Sequence, residues 1–298
     1  MSIRTIAVVK AVFAVVTWGA SFVATKVALR YVSPITVVWV RFAIGVIVIG
    51  IIVFFRGQFA FPSKGDIAYF ALVGFVGITF HQWLQSTGLL TAQASTTSWI
   101  VATTPVFMAL LAWIFLKEKF YFQQWLGIVL AACGVLLVVS KGNLSAIAIG
   151  QFGTTGDFLI LISALNWAFF STLSKRGLEK HPATRMLFFV MFFGWLFTSL
   201  LFITGKGYLE LQEIAWGGWL GLVFLGLFCS GLAYIFWFDA LKTLQMAQAG
   251  AFVYLEPFVT LIVAVIILGE VITTASLIGG GAILAGVLLV NRVNRAGY

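Results

Sequence analysis

The stretch Ala247–Glu270, AQAGAFVYLEPFVTLIVAVIILGE, decides how the chain is read. It is long enough to cross a bilayer, yet Glu256 and Pro257 stand side by side within it. A carboxylate in hydrocarbon costs at least ~2.5 kcal/mol, so it faces a partner or a water-filled cavity. The proline withdraws a backbone donor and loosens the helix beside the acid. The same phrase occurs earlier, at Ala92–Glu118, AQASTTSWIVATTPVFMALLAWIFLKE, where Pro105 precedes Glu118 by thirteen residues, the interval from Pro257 to Glu270. The chain reads as one unit written twice.

Its bulk chemistry fixes the solvent. Of the 298 residues, 62% are hydrophobic and 9% charged, with a mean hydropathy of +1.09, whereas a soluble domain is about a quarter charged. From Ile67 to Leu116 there is no Asp, Glu, Lys or Arg. As one helix that run would measure ~75 Å, more than two bilayer crossings. The strictly alternating strands of a membrane barrel are absent. The fold class expected is therefore an all-α polytopic membrane protein. The net charge of +9 does not point to nucleic acid, because the basic residues lie singly or in small groups between apolar spans. Cys133 and Cys229 both fall inside apolar segments, which excludes a disulfide framework and a cysteine zinc site. Arg4 and Lys10 precede a full-length span with no small-residue cleavage site, so a retained first helix is expected rather than a signal peptide.

Apolar length and the breaks between runs predict ten transmembrane helices, at 7–28, 34–55, 66–89, 95–115, 122–140, 157–177, 183–204, 216–240, 247–268 and 274–291. The duplication runs through them. Trp18 precedes Lys26 by eight residues, and Trp167 precedes Lys175 by eight. Pro34 opens the second span and Pro182 the seventh, while Gly127 and Gly134 match Gly279 and Gly286. GIVLAACGVLLV at 127–138 and GGGAILAGVLLV at 279–290 agree in six of twelve positions. Shared composition explains one common LLV, but not aligned Pro, Glu, Gly and Lys. The expected organisation is a five-helix repeat over 1–142, a linker over 143–156 and a second repeat over 157–298. Five is odd, so the second copy enters the membrane from the other side and the repeats are inverted, a construction used by secondary transporters. Lys and Arg number thirteen on the side carrying both termini and four on the other, which predicts cytoplasmic termini.

WGASFVATK at 18–26, Arg41-Phe42, the AQA…EP…LGE run and the closing GxxxxxxGVLLV resemble the EamA branch of the drug/metabolite transporter superfamily. The resemblance covers nearly the whole chain in two copies. It implies a ten-helix inverted-repeat carrier of the bacterial inner (plasma) membrane, exporting amino acids or other metabolites. The aromatic-rich interior is most similar to YddG-type aromatic amino-acid exporters. The first copy has Thr104-Pro105 where the second has Glu256-Pro257, so any role of that acid belongs to one half.

Six residues are candidates for a substrate-binding site. His81 and Gln85 share a face of the third span with Gly74, Gly77 and Gly88, which would suit either a cavity wall or a close helix packing face. Trp18 and its mate Trp167 lie halfway along their spans, and Trp99 lies beside Ser98 in the fourth. Tryptophan usually belongs to the membrane interface, as Trp125, Trp216 and Trp219 do. Deep indoles with polar neighbours would either line a cavity, stacking on an aromatic substrate or an ammonium group, or simply pack. Glu256 would pair with Arg41, counter a substrate ammonium, or carry a coupling proton; a helix kink with a bonded acid is the structural alternative. Lys26 would snorkel to the outer surface. No HExxH, GxSxG or aspartate-rich motif is present, and the nine acidic residues are scattered, so neither an enzyme nor a metal or other cofactor is expected. The partners expected are the lipid bilayer, a small molecule such as an amino acid, and protons if transport is coupled. A passive channel is the alternative, but it should show pore-lining charges or a filter.

Overall fold

The computed structural model describes residues 2–116, 121–143, 145, 148–150, 152–241, 243, 244 and 252–293. Glu118, the first part of the ninth predicted span and part of the 143–156 linker lie outside them. The described residues form helices and no strand. We number the helices α1 (Ile3–Ala28), α2 (Pro34–Phe55), α3 (Lys64–Gly88), α4 (Ala94–Val101), α5 (Thr104–Leu116), α6 (Phe122–Val139), α7 (Thr155–Leu178), α8 (Ala183–Thr204), α9 (Trp216–Ala240), α10 (Glu256–Leu268) and α11 (Thr274–Val293). Among the described residues there are eight stretches long and apolar enough to cross a membrane, α4 and α5 counting as one. Glu256–Leu268 and Thr274–Val290 are shorter apolar stretches. The chain is an integral membrane protein.

Helix starts follow from capping residues in the sequence. Ser33 accepts the N–H of Thr36 ahead of α2, with Pro34 in the first turn where its missing donor is harmless. Ser63-x-x-Asp66 and Thr154-x-x-Asp157 are capping boxes that open α3 and α7.

Three features depart from ten regular spans. First, the fourth span is broken: α4 stops at Val101 and α5 begins at Thr104, just before Pro105. Proline cannot donate back into the ladder, and the hydroxyls of Thr103 and Thr104 take up the carbonyls of Ile100 (2.6 Å) and Val101 (2.7 Å). The ninth span breaks likewise: Tyr254 and Leu255 form a turn, and α10 starts at Glu256 with Pro257 in its first turn. Second, α3 and α9 each contain a π-helical segment, Phe75–Phe80 and Phe224–Leu232. The segments begin 149 residues apart, the separation of Trp18 from Trp167. Third, Lys26 does not extend freely to the surface; its Nζ donates to the carbonyl of Ala92.

The most extensive helix pairing is α6 against α11. A Cβ placed on Gly127 would lie 2.6 Å from the carbonyl oxygen of Gly286, and one on Gly286 would lie 2.5 Å from that of Gly127. Gly134 and Gly279 face each other in the same reciprocal way, at 2.6 and 2.7 Å. Only glycine lets the two backbones approach this closely. The largest apolar cluster joins α2, α3, α7, α8 and α9 around Phe42, Phe70 and Met191. The two ends of the bundle are fastened differently. Where α1 begins, Asp239 holds Lys10 (3.0 Å) and accepts both nitrogens of Arg56 (3.1 and 2.9 Å). Where α1 ends, Glu270 accepts the N–H groups of Ala94 (2.8 Å) and Ser95 (3.1 Å) and the Ser95 hydroxyl (2.6 Å), capping α4.

Candidate functional site

The two π segments position the central polar and aromatic residues. A π turn leaves backbone carbonyls out of the regular ladder, and such turns are frequent at functional sites. In α3 the carbonyl of Val76, which also takes the His81 N–H, accepts Asn166 Nδ2 of α7 at 2.8 Å. In α9 the carbonyl of Cys229 accepts Trp18 Nε1 of α1 at 3.3 Å. Each π segment is thus stitched to the helix carrying one of the paired tryptophans.

Two similar clusters result. His81, at the end of the first π segment, lies against the Trp167 ring with centroids 4.9 Å apart, and Trp167 in turn meets Phe170. His81 is buried and its Nδ1 has no hydrogen-bond partner. Gln85, one turn further along α3, is half-buried. On the other side, Trp18 packs edge-on against Tyr234 at 5.4 Å and lies tilted against Trp237 at 5.5 Å. The interval of 149 residues that separates the tryptophans also separates His81 from Ser230 and Gln85 from Tyr234. Trp18 and Trp167 both keep part of their surface accessible.

Glu256 sits at the crossing of α10 and α1. Its backbone carbonyl lies over Gly19, and Thr260 Oγ1 is 2.7 Å from the Gly19 carbonyl. The Glu256 side chain is enclosed by protein yet partly accessible, and it forms no ion pair among the described residues. It does not pair with Arg41, whose partners are Ser230 Oγ at 3.1 Å and Gln82 Oε1 at 3.0 Å. Trp99 is set apart. It is 2% exposed, packs edge-on against Phe258 at 5.8 Å and presses on Gly280, and its Nε1 has no partner. Of the six candidates, therefore, His81 and Trp167 touch, Trp18 and Glu256 flank one stretch of α1, and Trp99 belongs to the α4–α10–α11 cluster.

Sequence reasoning did not reach Ser230, Gln82 or Tyr234, and gave Cys229 and Asn166 no place in the site. The repeat offset carried the missing signal, since it maps His81 onto Ser230 and Gln85 onto Tyr234. Among the described residues no three His, Cys, Asp or Glu side chains gather as metal ligands would.

Comparison with known proteins agrees with a transport role. The chain is 30% identical to a "Probable terminal-alkyne amino-acid exporter" of Streptantibioticus cattleyicolor, over 94% of this chain and 92% of that protein. It is 28% identical to the uncharacterized transporter YdfC of Bacillus subtilis, over 93% and 90% of the two chains. A solved crystal structure only 18% identical superposes with a TM-score of 0.65 over 98% of this chain and 99% of the other, which is a likeness of fold. The EamA-like transporter family matches residues 5–140 and matches again over residues 154–292. The chain belongs to the EamA-like transporter family.

Proposed function

We propose that this protein is a secondary carrier that exports amino acids with aromatic or other apolar side chains, as YddG-type exporters do, by alternating access. The observation that carries the reading is the repetition of one local device on both sides of the bundle. Each half supplies a mid-span tryptophan, a π segment stitched to the tryptophan-bearing helix, and a helix broken before a proline. The reciprocal Gly127–Gly286 and Gly134–Gly279 contacts and the double family match support two inverted five-helix repeats, 1–142 and 157–298, joined by 143–156. Two copies of one unit facing opposite ways give two interchangeable conformations, and the site belongs where they meet.

Trp18, His81, Gln85, Trp167 and Glu256 form the walls of that site in this reading, with Trp99 packed behind them. The indoles hold an apolar side chain, worth ~1.5–3 kcal/mol when buried. The His81 ring, packed against Trp167, completes the aromatic wall, and Glu256 takes a substrate ammonium or a coupling proton. The name of the Streptantibioticus relative supports an amino-acid substrate. The protein then lies in the bacterial inner membrane with both termini cytoplasmic, and the end where Glu270 caps α4 faces outward.

Flux through purified protein in liposomes tests this. Amino acids with apolar side chains should be carried, and His81→Ala and Trp167→Ala should insert normally while losing most of the flux. If another metabolite moves and no amino acid does, the substrate assignment fails.

A further inference from the structure

Arg41 is a guanidinium 4% exposed in the middle of an apolar bundle, seven residues into α2. Its Nε donates to Ser230 Oγ and its Nη1 to Gln82 Oε1, and the group lies 5.2 Å from the Phe42 ring centre. All three partners are neutral. Among the described residues the ion pairs are Lys10–Asp239, Arg56–Asp239 and His181–Asp66, so no carboxylate meets Arg41. Neutral acceptors satisfy hydrogen bonds but leave the charge uncompensated, and an unpaired buried charge is among the costliest arrangements a protein keeps.

The geometry leaves one edge of the fork for something else. Nη2 takes part in neither bond, which leaves one edge of the guanidinium for a further acceptor. The two residues that hold Arg41 come from the two π-bearing helices. Gln82 follows His81, and Ser230 follows Cys229, whose carbonyl holds Trp18. The guanidinium therefore lies between the Trp18 and Trp167 clusters, held in orientation by both.

We propose that Arg41 anchors a carboxylate of the transported compound. This rests on the carrier reading above and extends it to the substrate's charge. A single planar carboxylate matches one positive charge and one remaining guanidinium edge. A dianionic phosphate would bring a second negative charge, and Lys10 and Arg56, two other cations of the bundle, are already committed to Asp239. The anchor belongs to one half only, since the residue 149 positions on is Val190.

The experiment uses full-length protein in liposomes and competition against a carried amino acid. The competitors are the same amino acid, its amide and the amine lacking the carboxyl group. Losing a charge-assisted contact should make the amide and the amine roughly ten- to a hundredfold weaker competitors than the acid. Arg41→Gln should abolish that preference, and Arg41→Lys should keep part of it. If Arg41→Gln fails to insert, the wild-type series still decides. Equal competition by acid and amide overturns the anchor while leaving the carrier reading intact, as does an Arg41→Gln protein that still prefers the acid. If no compound in the series and no amino acid moves at all, the carrier reading falls and the anchor with it.

Discussion

Replacing Gly134 by alanine probes the α6–α11 crossing at one of its two close contacts. The added Cβ would lie 2.6 Å from the Gly279 carbonyl oxygen and 2.9 Å from Ile283 Cγ1. Ordinary C···O contact begins near ~3.3 Å, so the helices must separate by about 0.7 Å. Overpacking of this kind costs ~1–3 kcal/mol, while alanine regains up to ~1 kcal/mol of helix propensity. The net loss expected is about 0–2 kcal/mol. Gly281→Ala separates the two effects. It lies in α11 with nothing within 4 Å of the new Cβ, so it should collect the propensity gain alone. Gly134→Ala should thus be less stable than Gly281→Ala by ~1–3 kcal/mol in denaturant unfolding of the detergent-solubilised protein. Gly279→Ala should match Gly134→Ala, and the double variant should lose less than the sum, because one opening of the crossing serves both. Equal stability of Gly134→Ala and Gly281→Ala would refute the close approach.

Three further outcomes follow from the same geometry. Glu256→Gln should abolish transport or remove its pH dependence; unchanged flux with an unchanged pH profile, at normal expression, would reduce Glu256 to a structural role. Glu270→Ala strips the acceptor from the N–H groups of Ala94 and Ser95, and should cost ~1–3 kcal/mol in the same unfolding assay; an unshifted midpoint would show that α4 does not need this cap. Reporter fusions after Tyr298 and within Asn143–Gly156 should report cytoplasm and exterior respectively, and finding both on one side would contradict the five-plus-five topology.

The eight spans seen among the described residues were legible in the sequence because hydropathy is a property of composition, and the bilayer demands it over a fixed length. The pairing of Gly127 and Gly134 with Gly279 and Gly286 was legible as repetition, and the structure shows why glycine stands there: the backbones touch. The π segments were not legible. Winding by one extra residue changes neither hydropathy nor the identity of the side chains; it depends on contacts with neighbouring helices, here the donors Asn166 and Trp18. Likewise Arg41 could be seen in the sequence within an apolar span, with Glu256 offered as a partner, but its partners come instead from residues 41 and 189 positions away. Pro105 and Pro257 signalled weakened helices, and whether the result is a kink or a full break depends on local hydroxyls such as those of Thr103 and Thr104. Trp99 shows the limit of the sequence argument. A deep indole beside a serine suggests a wall, and the side chain is instead packed on Gly280.

The central claim is alternating access around one internal site, and counterflow tests it most directly. Liposomes containing the purified protein are preloaded with an unlabelled amino acid, and entry of the labelled compound is followed over a range of external concentrations. The account predicts entry that saturates and is accelerated by the internal pool, because the return of a loaded carrier is what exposes the site again. Entry that rises linearly with concentration, is indifferent to the internal pool and is accompanied by ohmic ion conductance would contradict it, and would make the protein a channel.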